Sequence, residues 1–120
     1  MRVLLVEDNV DSGQSLVMLL RVLGHEGRVC GNAWAAIDQV ARWQPELVIT
    51  DIGLPGTDGY ALAPMLRRAG LDDVPIYALS AYVDDPRKRE VAGIQGHLQK
   101  PISIVDLRRI LNTDHAQPTC

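Results

Sequence analysis

The stretch around Asp51 constrains the fold more than any other part of the 120-residue chain. The apolar run Leu47-Val48-Ile49 continues into Thr50 and stops at Asp51, a pattern typical of a short strand buried on both faces. Four turn-forming residues then prevent the strand from continuing: Gly53, Pro55, Gly56 and Gly59. In parallel α/β sheets ligands bind at the carboxyl ends of strands, but aspartate is also a common turn residue. The stretch alone therefore leaves two interpretations of Asp51 open, a functional acid and a turn former.

The composition is that of one soluble domain. The chain has 120 residues and 47% hydrophobic content, which is enough to build a single core. The formal net charge of -3 provides no basic field for nucleic acid, so the clusters Arg67-Arg68, Arg87-Lys88-Arg89 and Arg108-Arg109 are interpreted as solvated helix faces. The sequence has no apolar run of membrane-spanning length and no signal-peptide pattern. We expect a cytoplasmic protein that does not bind DNA directly and has no membrane segment.

Five strand-like runs alternate with five segments of helical periodicity. The predicted strands are residues 2–6, 26–30, 47–51, 74–79 and 96–99. The second run is weakly apolar, which indicates a strand at the sheet edge. The right-handed crossover rule makes all five strands parallel and places their carboxyl ends on one edge. The sequence therefore predicts an α/β fold in residues 1–112, with residues 113–120 as a disordered tail or a truncated linker.

Several helix boundaries can be predicted from capping residues. Asn9 or Asp11 is expected to cap the first helix, Asp58 the third, and Asp84 or Asp85 the fourth. Pro64 removes a hydrogen bond within the third helix, so we expect a kink or a late start there. The fourth helix has little apolar surface and is expected to be the least stable of the five.

Polar side chains follow four of the five predicted strands. The first strand ends at Glu7 and Asp8, the third at Asp51, the fourth at Ser80 and the fifth at Lys100. A turn explanation must be invoked separately at each of these four positions, whereas one pocket at the carboxyl edge explains all of them. We therefore interpret Asp51 as a functional acid.

The charges of this pocket require a divalent cation. Three carboxylates within a few ångströms repel by about 4 kcal/mol per close pair at an effective dielectric of about 20, and one ammonium cannot offset every pair. A set of oxygen ligands favours a hard ion such as Mg²⁺, which implies a phosphorylated ligand. Either the pocket binds a phosphate-bearing small molecule or one carboxylate is itself phosphorylated. No glycine-rich phosphate loop is present, which counts against nucleotide binding.

The motifs at these strand ends resemble the signature of response-regulator receiver domains of two-component systems. They are Glu7-Asp8, Asp51 with Leu54-Pro55-Gly56 and Asp58-Gly59, Ser80-Ala81, and Lys100-Pro101. The resemblance covers residues 2–111, nearly the whole chain. It implies a flavodoxin-like, doubly wound sheet of strand order 2-1-3-4-5.

The resemblance also implies roles for individual residues. Asp51 would accept a phosphoryl group from a kinase phosphohistidine. Asp8 and Asp51 would bind Mg²⁺ directly, Glu7 would bind it through water, and the backbone carbonyl of Gly53 would be a further ligand. Lys100 and Ser80 would contact phosphoryl oxygens, and the Lys100-Pro101 peptide bond would be cis. Phosphorylation would then shift a two-state equilibrium on the face formed by helix four, strand five and helix five.

Two departures from the family pattern concern the switch. His97 occupies a position where the family usually has Phe or Tyr, so we hypothesise that its inward movement with Ser80 depends on protonation. Gly53 leaves one flank of the phosphoryl site open, so Tyr82 is expected to control water access more than usual.

Family resemblance also predicts the partners of this chain. They are a sensor histidine kinase or histidine phosphotransfer protein, and a downstream partner or a covalently attached kinase or effector. The sequence around Asp51 resembles that of receiver domains attached to hybrid histidine kinases. We expect no enzyme activity beyond the chain's own phosphorylation and autodephosphorylation. We also expect the chain to be a monomer or a weak phosphorylation-dependent dimer. The alternatives are a small aspartyl-phosphate phosphotransfer enzyme or phosphatase and a phosphorylation-independent interaction domain.

Overall fold

Strands and helices alternate throughout the described chain, as the periodicity predicts. The structure is a computed structural model that describes residues 1–54, 56–81 and 84–112. The strands are β1 (Arg2–Val6), β2 (Glu26–Cys30), β3 (Leu47–Asp51), β4 (Ile76–Ser80) and β5 (Gly96–Gln99). The helices are α1 (Val10–Val22), α2 (Ala33–Arg42), α3 (Gly59–Arg68), α4 (Pro86–Ala92) and α5 (Ile104–Asn112).

The five strands form one parallel sheet of order β2-β1-β3-β4-β5. This order confirms the predicted doubly wound, flavodoxin-like topology, and it places the weakly apolar β2 at an edge. Every residue of the central strand β3 is buried. The apolar run before Asp51 is therefore explained by helices that cover both faces of the sheet.

Two apolar clusters fill the space between the sheet and its helices. One joins β1, β3 and β4 to α2, α3 and the end of α4, and includes Val48, Leu62 and Ile76. The other lies on the opposite face, joins the sheet to α1 and α5, and includes Leu5, Leu20 and Leu107. Alternate residues of β1 enter alternate clusters, as the two-residue period of a strand requires.

Side-chain caps fix the starts of all five described helices. A residue before each helix accepts a hydrogen bond from the backbone N–H three residues later: Asn9, Asn32, Asp58, Asp85 and Ser103. These contacts satisfy amide groups that have no partner within the helix. Among the predicted alternatives, Asn9 rather than Asp11 caps α1, and Asp85 rather than Asp84 caps α4.

The predicted start of β4 is wrong, and one of the two alternatives for the third helix is excluded. That helix does not start late, because α3 begins at Gly59, directly after its cap, and includes Pro64; the kink stays a prediction. Strand β4 begins at Ile76, two residues after the predicted start. The reason is Pro75, which has no N–H to donate to the ladder, although its carbonyl accepts a hydrogen bond from Val48 N at 3.0 Å.

The interpretation of the arginine clusters as solvated helix faces is wrong for Arg67, whereas its neighbour Arg68 is exposed as predicted. The Arg67 guanidinium leaves α3 and donates to the carbonyls of Leu71 (2.7 Å), Val74 and Gly93 (2.8 Å). Burial lowers the pKa of Arg67, which is half-buried. This side chain therefore ties the end of α3 to the turn between α4 and β5.

The described residues do not include the predicted tail (113–120), Pro55 or Tyr82. Within the described ranges, none of the helices has the length and apolar character needed to cross a membrane.

Candidate functional site

The strand register brings the predicted strand-end residues to one edge of the sheet. Glu7 and Asp8 follow β1, and Asp51 ends β3, which pairs with β1 through Val6 and Thr50. On its other side Asp51 pairs with Leu79, which precedes Ser80, and Ser80 pairs with Gln99, which precedes Lys100. These register pairs place the carboxyl ends of all four strands at the same edge of the sheet.

Lys100 joins two buried acids at this edge. Its Nζ lies 3.0 Å from Asp51 Oδ2 and 3.0 Å from Glu7 Oε2. Asp51 is 7% exposed and Glu7 is 3% exposed. A charged group buried to this degree requires a partner of opposite charge, and the ammonium supplies it for both acids.

Backbone amides hold the remaining oxygens of the two acids. Asp51 Oδ1 accepts a hydrogen bond from Gly53 N at 3.0 Å, and Glu7 Oε1 accepts one from Asn9 N at 3.0 Å. Both carboxylates therefore have a fixed orientation at the carboxyl edge of the sheet.

The Lys100 ammonium is stabilised in its charged form. Burial alone would lower its pKa, but the hydrogen bonds and the negative charges of Asp51 and Glu7 outweigh burial and raise the pKa above its usual value. Lys100 therefore remains a cation throughout the physiological pH range and can serve as a fixed positive charge beside Asp51.

The three predicted acids could hold one metal ion. Glu7, Asp8 and Asp51 each place a carboxylate oxygen within 4.8 Å of the others. Glu7 Oε2 is buried, and apart from the ion pair with Lys100 it has no hydrogen bond among the described residues. A buried oxygen of this kind has unused acceptor capacity, which suits a hydrated cation. The set of oxygen donors fits a hard ion such as Mg²⁺.

Two glycines shape the loop after Asp51, and sequence reasoning missed the role of one of them. Among the described residues, a Cβ on Gly53 would meet only Asp51 Oδ1, at 3.9 Å, so these residues leave this flank open. A Cβ on Gly59 would lie 2.5 Å from the Asp51 carbonyl oxygen. Gly59 therefore allows the start of α3 to contact the end of β3. The sequence signal for this contact was a glycine directly after the helix cap Asp58.

Ser80 lies at the same edge as the acids. It ends β4 and is 7% exposed, and its carbonyl accepts a hydrogen bond from Lys100 N at 2.8 Å. The Lys100-Pro101 peptide bond is cis, as the family resemblance implied. The proposed water-access residue Tyr82 lies outside the described residues.

His97 lies within β5, three residues before Lys100 in the chain. It pairs with Ala78, and its Nε2 is buried with no hydrogen-bond partner in the described part of the chain. Nearby, Arg89 donates to both carboxylate oxygens of Asp84, at 3.0 and 3.1 Å. These hydrogen bonds lower the pKa of Asp84 against the opposing effect of burial, and the charges of Arg89 and His97 lower it further.

Comparisons with known proteins agree with this geometry. The family model of the response regulator receiver domain matches residues 3–112. The response regulator MprA of Mycobacterium leprae is 32% identical over 111 residues, which cover 89% of this chain and 47% of MprA. The transcriptional regulatory protein BaeR of Escherichia coli is 32% identical over 84 residues, which cover 70% of this chain and 34% of BaeR. The chain therefore spans about a third to about a half of the length of these relatives.

Solved structures share the fold. The chemotaxis protein CheY4 of Vibrio cholerae superposes with a TM-score of 0.87 at 21% identity, covering 92% of this chain and 94% of CheY4. A putative response regulator from Chloroflexus aurantiacus is 30% identical, with a TM-score of 0.83 and coverage of 92% and 93%. With the family model matching nearly the whole chain and the acids, Ser80 and Lys100 meeting at one edge, this chain belongs to the family of response-regulator receiver domains of two-component signalling.

Proposed function

We propose that Asp51 accepts a phosphoryl group from the phosphohistidine of a sensor histidine kinase or a histidine phosphotransfer protein, in a Mg²⁺-dependent reaction. One observation carries this proposal. The Asp51 carboxylate is 7% exposed, lies 3.0 Å from the Lys100 ammonium, and shares a possible metal site with Glu7 and Asp8. An acid held between a cation and a metal site can act as a nucleophile toward phosphorus.

The proposed transfer uses the chain's own residues in defined roles. A carboxylate oxygen of Asp51 forms a bond to phosphorus while the phosphorus–nitrogen bond of the phosphohistidine breaks and the imidazole leaves. Lys100 exchanges its contact with the free carboxylate for a phosphoryl oxygen, and the Ser80 hydroxyl donates to another. A divalent ion bound by Glu7, Asp8, Asp51 and the Gly53 carbonyl would neutralise charge on the phosphoryl oxygens.

Intact mass spectrometry tests this function directly. The chain is incubated with acetyl phosphate, with Mg²⁺ or with excess EDTA. We expect the mass of one phosphoryl group to be added only when Mg²⁺ is present, and not in Asp51→Asn. Modification that persists in Asp51→Asn would contradict the assignment. Turnover of diverse phosphoesters would instead indicate a phosphotransfer enzyme or phosphatase, whereas receiver domains are generally not classical enzymes.

Phosphorylation is proposed to act on the face formed by α4, β5 and α5. His97 belongs to β5, and Asp84, which precedes α4 in the chain, pairs with Arg89 within α4. A movement of Ser80 toward the phosphoryl group would act on the segment between β4 and α4, and His97 would move inward with it. The buried Nε2 of His97 has no partner among the described residues, so protonation would change its preferred position.

Tyr82 is proposed to control the lifetime of the aspartyl phosphate. Gly53 has no side chain to limit water access on its flank of the site, where a Cβ would meet only Asp51 Oδ1 among the described residues. We expect Tyr82→Ala to change the dephosphorylation rate of the phosphorylated chain, measured by loss of the added mass over time. An unchanged rate would remove Tyr82 from the mechanism.

The partners follow from the same proposal. A sensor histidine kinase or phosphotransfer protein would donate the phosphoryl group, and a downstream protein or a covalently attached kinase or effector would receive the signal. A hybrid histidine kinase is one such origin. We propose a monomer or a weak phosphorylation-dependent dimer, which light scattering before and after phosphorylation would distinguish.

A further inference from the structure

An apolar groove opens directly beside the phosphoacceptor site. It has a volume of about 610 Å³, which is within the range of small-molecule sites. It lies between α1 and the segment that leads from β5 into α5. Its apolar walls are Leu16, Leu19, Leu79, Pro101 and Ile102.

Charged and polar side chains also line this groove. They are Glu7, Asp11, Ser12, Ser15 and Lys100, and Lys100 Nζ is 3.0 Å from Asp51 Oδ2. The ammonium therefore belongs both to the groove and to the phosphoacceptor site. A molecule with a phosphoryl group at one end and an apolar body at the other would match Lys100 and the apolar walls at the same time.

We propose that this groove binds the acyl chain of an acyl phosphate, so that medium-chain acyl phosphates phosphorylate Asp51 faster than acetyl phosphate does. The inference rests on the proposed function of Asp51. In the reaction a carboxylate oxygen of Asp51 forms a bond to phosphorus. The bond between phosphorus and the acyl oxygen breaks, and the electron pair leaves with the carboxylate product. No proton or redox partner is required.

The expected preference for the longer acyl phosphate follows from partial burial of its acyl chain in the groove. Each fully buried methylene would favour binding about fourfold, and an open groove provides part of that gain. We expect hexanoyl phosphate to react about tenfold faster than acetyl phosphate at equal subsaturating concentration. The two carboxylate leaving groups have similar basicity, so intrinsic reactivity does not account for such a difference.

The experiment compares the two donors on the whole chain and on two matched variants. Rates of Asp51 phosphorylation with Mg²⁺ are measured by intact mass. Leu19 is half-buried and lines the groove, whereas its neighbour Met18 is 65% exposed and does not. We expect Leu19→Ala to lower the hexanoyl-to-acetyl rate ratio severalfold and Met18→Ala to leave it unchanged.

Each outcome either supports or overturns the groove assignment. Equal rates with both donors would overturn it and leave the proposed function intact, as expected if the groove instead accepts a side chain of the phosphodonor protein. A Leu19→Ala variant that slows both donors equally would indicate a structural role for Leu19 and would also overturn it. If neither donor modifies Asp51, the proposed function itself fails.

Discussion

Replacing Lys100 with methionine removes the ammonium between Glu7 and Asp51 and keeps an unbranched side chain of similar length. At an effective dielectric of about 20, opposite charges 3.0 Å apart attract by about 5–6 kcal/mol. Lys100 is 30% exposed, so water screens part of this attraction, and the variant leaves two nearby carboxylates without their shared cation. We expect the free energy of unfolding in EDTA to fall by about 2–4 kcal/mol.

Urea denaturation followed by tryptophan fluorescence measures this loss, because Trp43 is buried and reports unfolding. Lys88→Met is the matched control. Lys88 is exposed on α4. Among the described residues, its ammonium contacts the face of the Tyr60 ring, with Nζ 4.9 Å from the ring centroid. Loss of that contact is expected to cost about 0.5–1 kcal/mol or less.

Saturating Mg²⁺ should reduce the stability deficit of Lys100→Met, because the variant has no ammonium to compete with the cation for Glu7 and Asp51. If the variant binds Mg²⁺ about tenfold more tightly than the wild type, the deficit falls by about 1.4 kcal/mol. The reasoning is refuted if Lys100→Met in EDTA is no less stable than Lys88→Met. It is also refuted if Mg²⁺ stabilises wild type and Lys100→Met equally.

Three further predictions concern the surroundings of the site. Gly59→Ala should destabilise the fold by about 1–3 kcal/mol, because its Cβ would lie 2.5 Å from the Asp51 carbonyl, whereas Gly31→Ala has open space and should change stability by less than about 0.5 kcal/mol in urea denaturation. The hydrogen bonds from Arg89 should hold the pKa of Asp84 below the usual value for aspartate, and Arg89→Gln should raise it in an NMR titration. The Arg89 contact thus stabilises the fold at pH values above the usual pKa, and this stabilisation is lost as the pH falls through the lowered pKa. The activation equilibrium of the phosphorylated chain should change between about pH 8 and about pH 5.5, because the proposed inward movement of His97 depends on its protonation. NMR of wild type and His97→Phe checks this, and an equilibrium independent of pH in both would contradict it.

The strand-end residues could be predicted because backbone rules alone place them. Apolar runs located the strands, and the crossover rule made those strands parallel. The register then brought Asp51, Ser80 and Lys100 to one edge, as the structure confirms. The predicted position of Glu7 and Asp8 at the same edge follows from β1 lying beside β3.

Close contacts at the site could not be predicted in the same way. The pattern of glycines after Asp51 indicated a turn, but both Gly53 and Gly59 fitted that description equally well. The structure separates them, because a Cβ has space at Gly53 and collides with the Asp51 carbonyl at Gly59. The distance between the start of α3 and the end of β3 decides this difference, and no periodicity encodes that distance.

Long charged side chains were the least predictable part of the molecule. Arg67 and Arg68 are neighbours in one helix, and composition assigns both to a solvated face. The Arg67 guanidinium instead reaches carbonyls in the α3–β4 loop and Gly93 after α4, while Arg68 is exposed. Because the end of such a side chain lies several ångströms from its Cα, its partners depend on which loops fold beside it. Arg67 of α3 thus contacts Gly93 after α4, while Arg89 within α4 contacts Asp84 before the helix and Gln95 after it. If Ser80 signals to α4 as proposed, we expect Asp84 to respond first, because it lies nearest to Ser80 in the chain among the residues that hold α4 in these contacts.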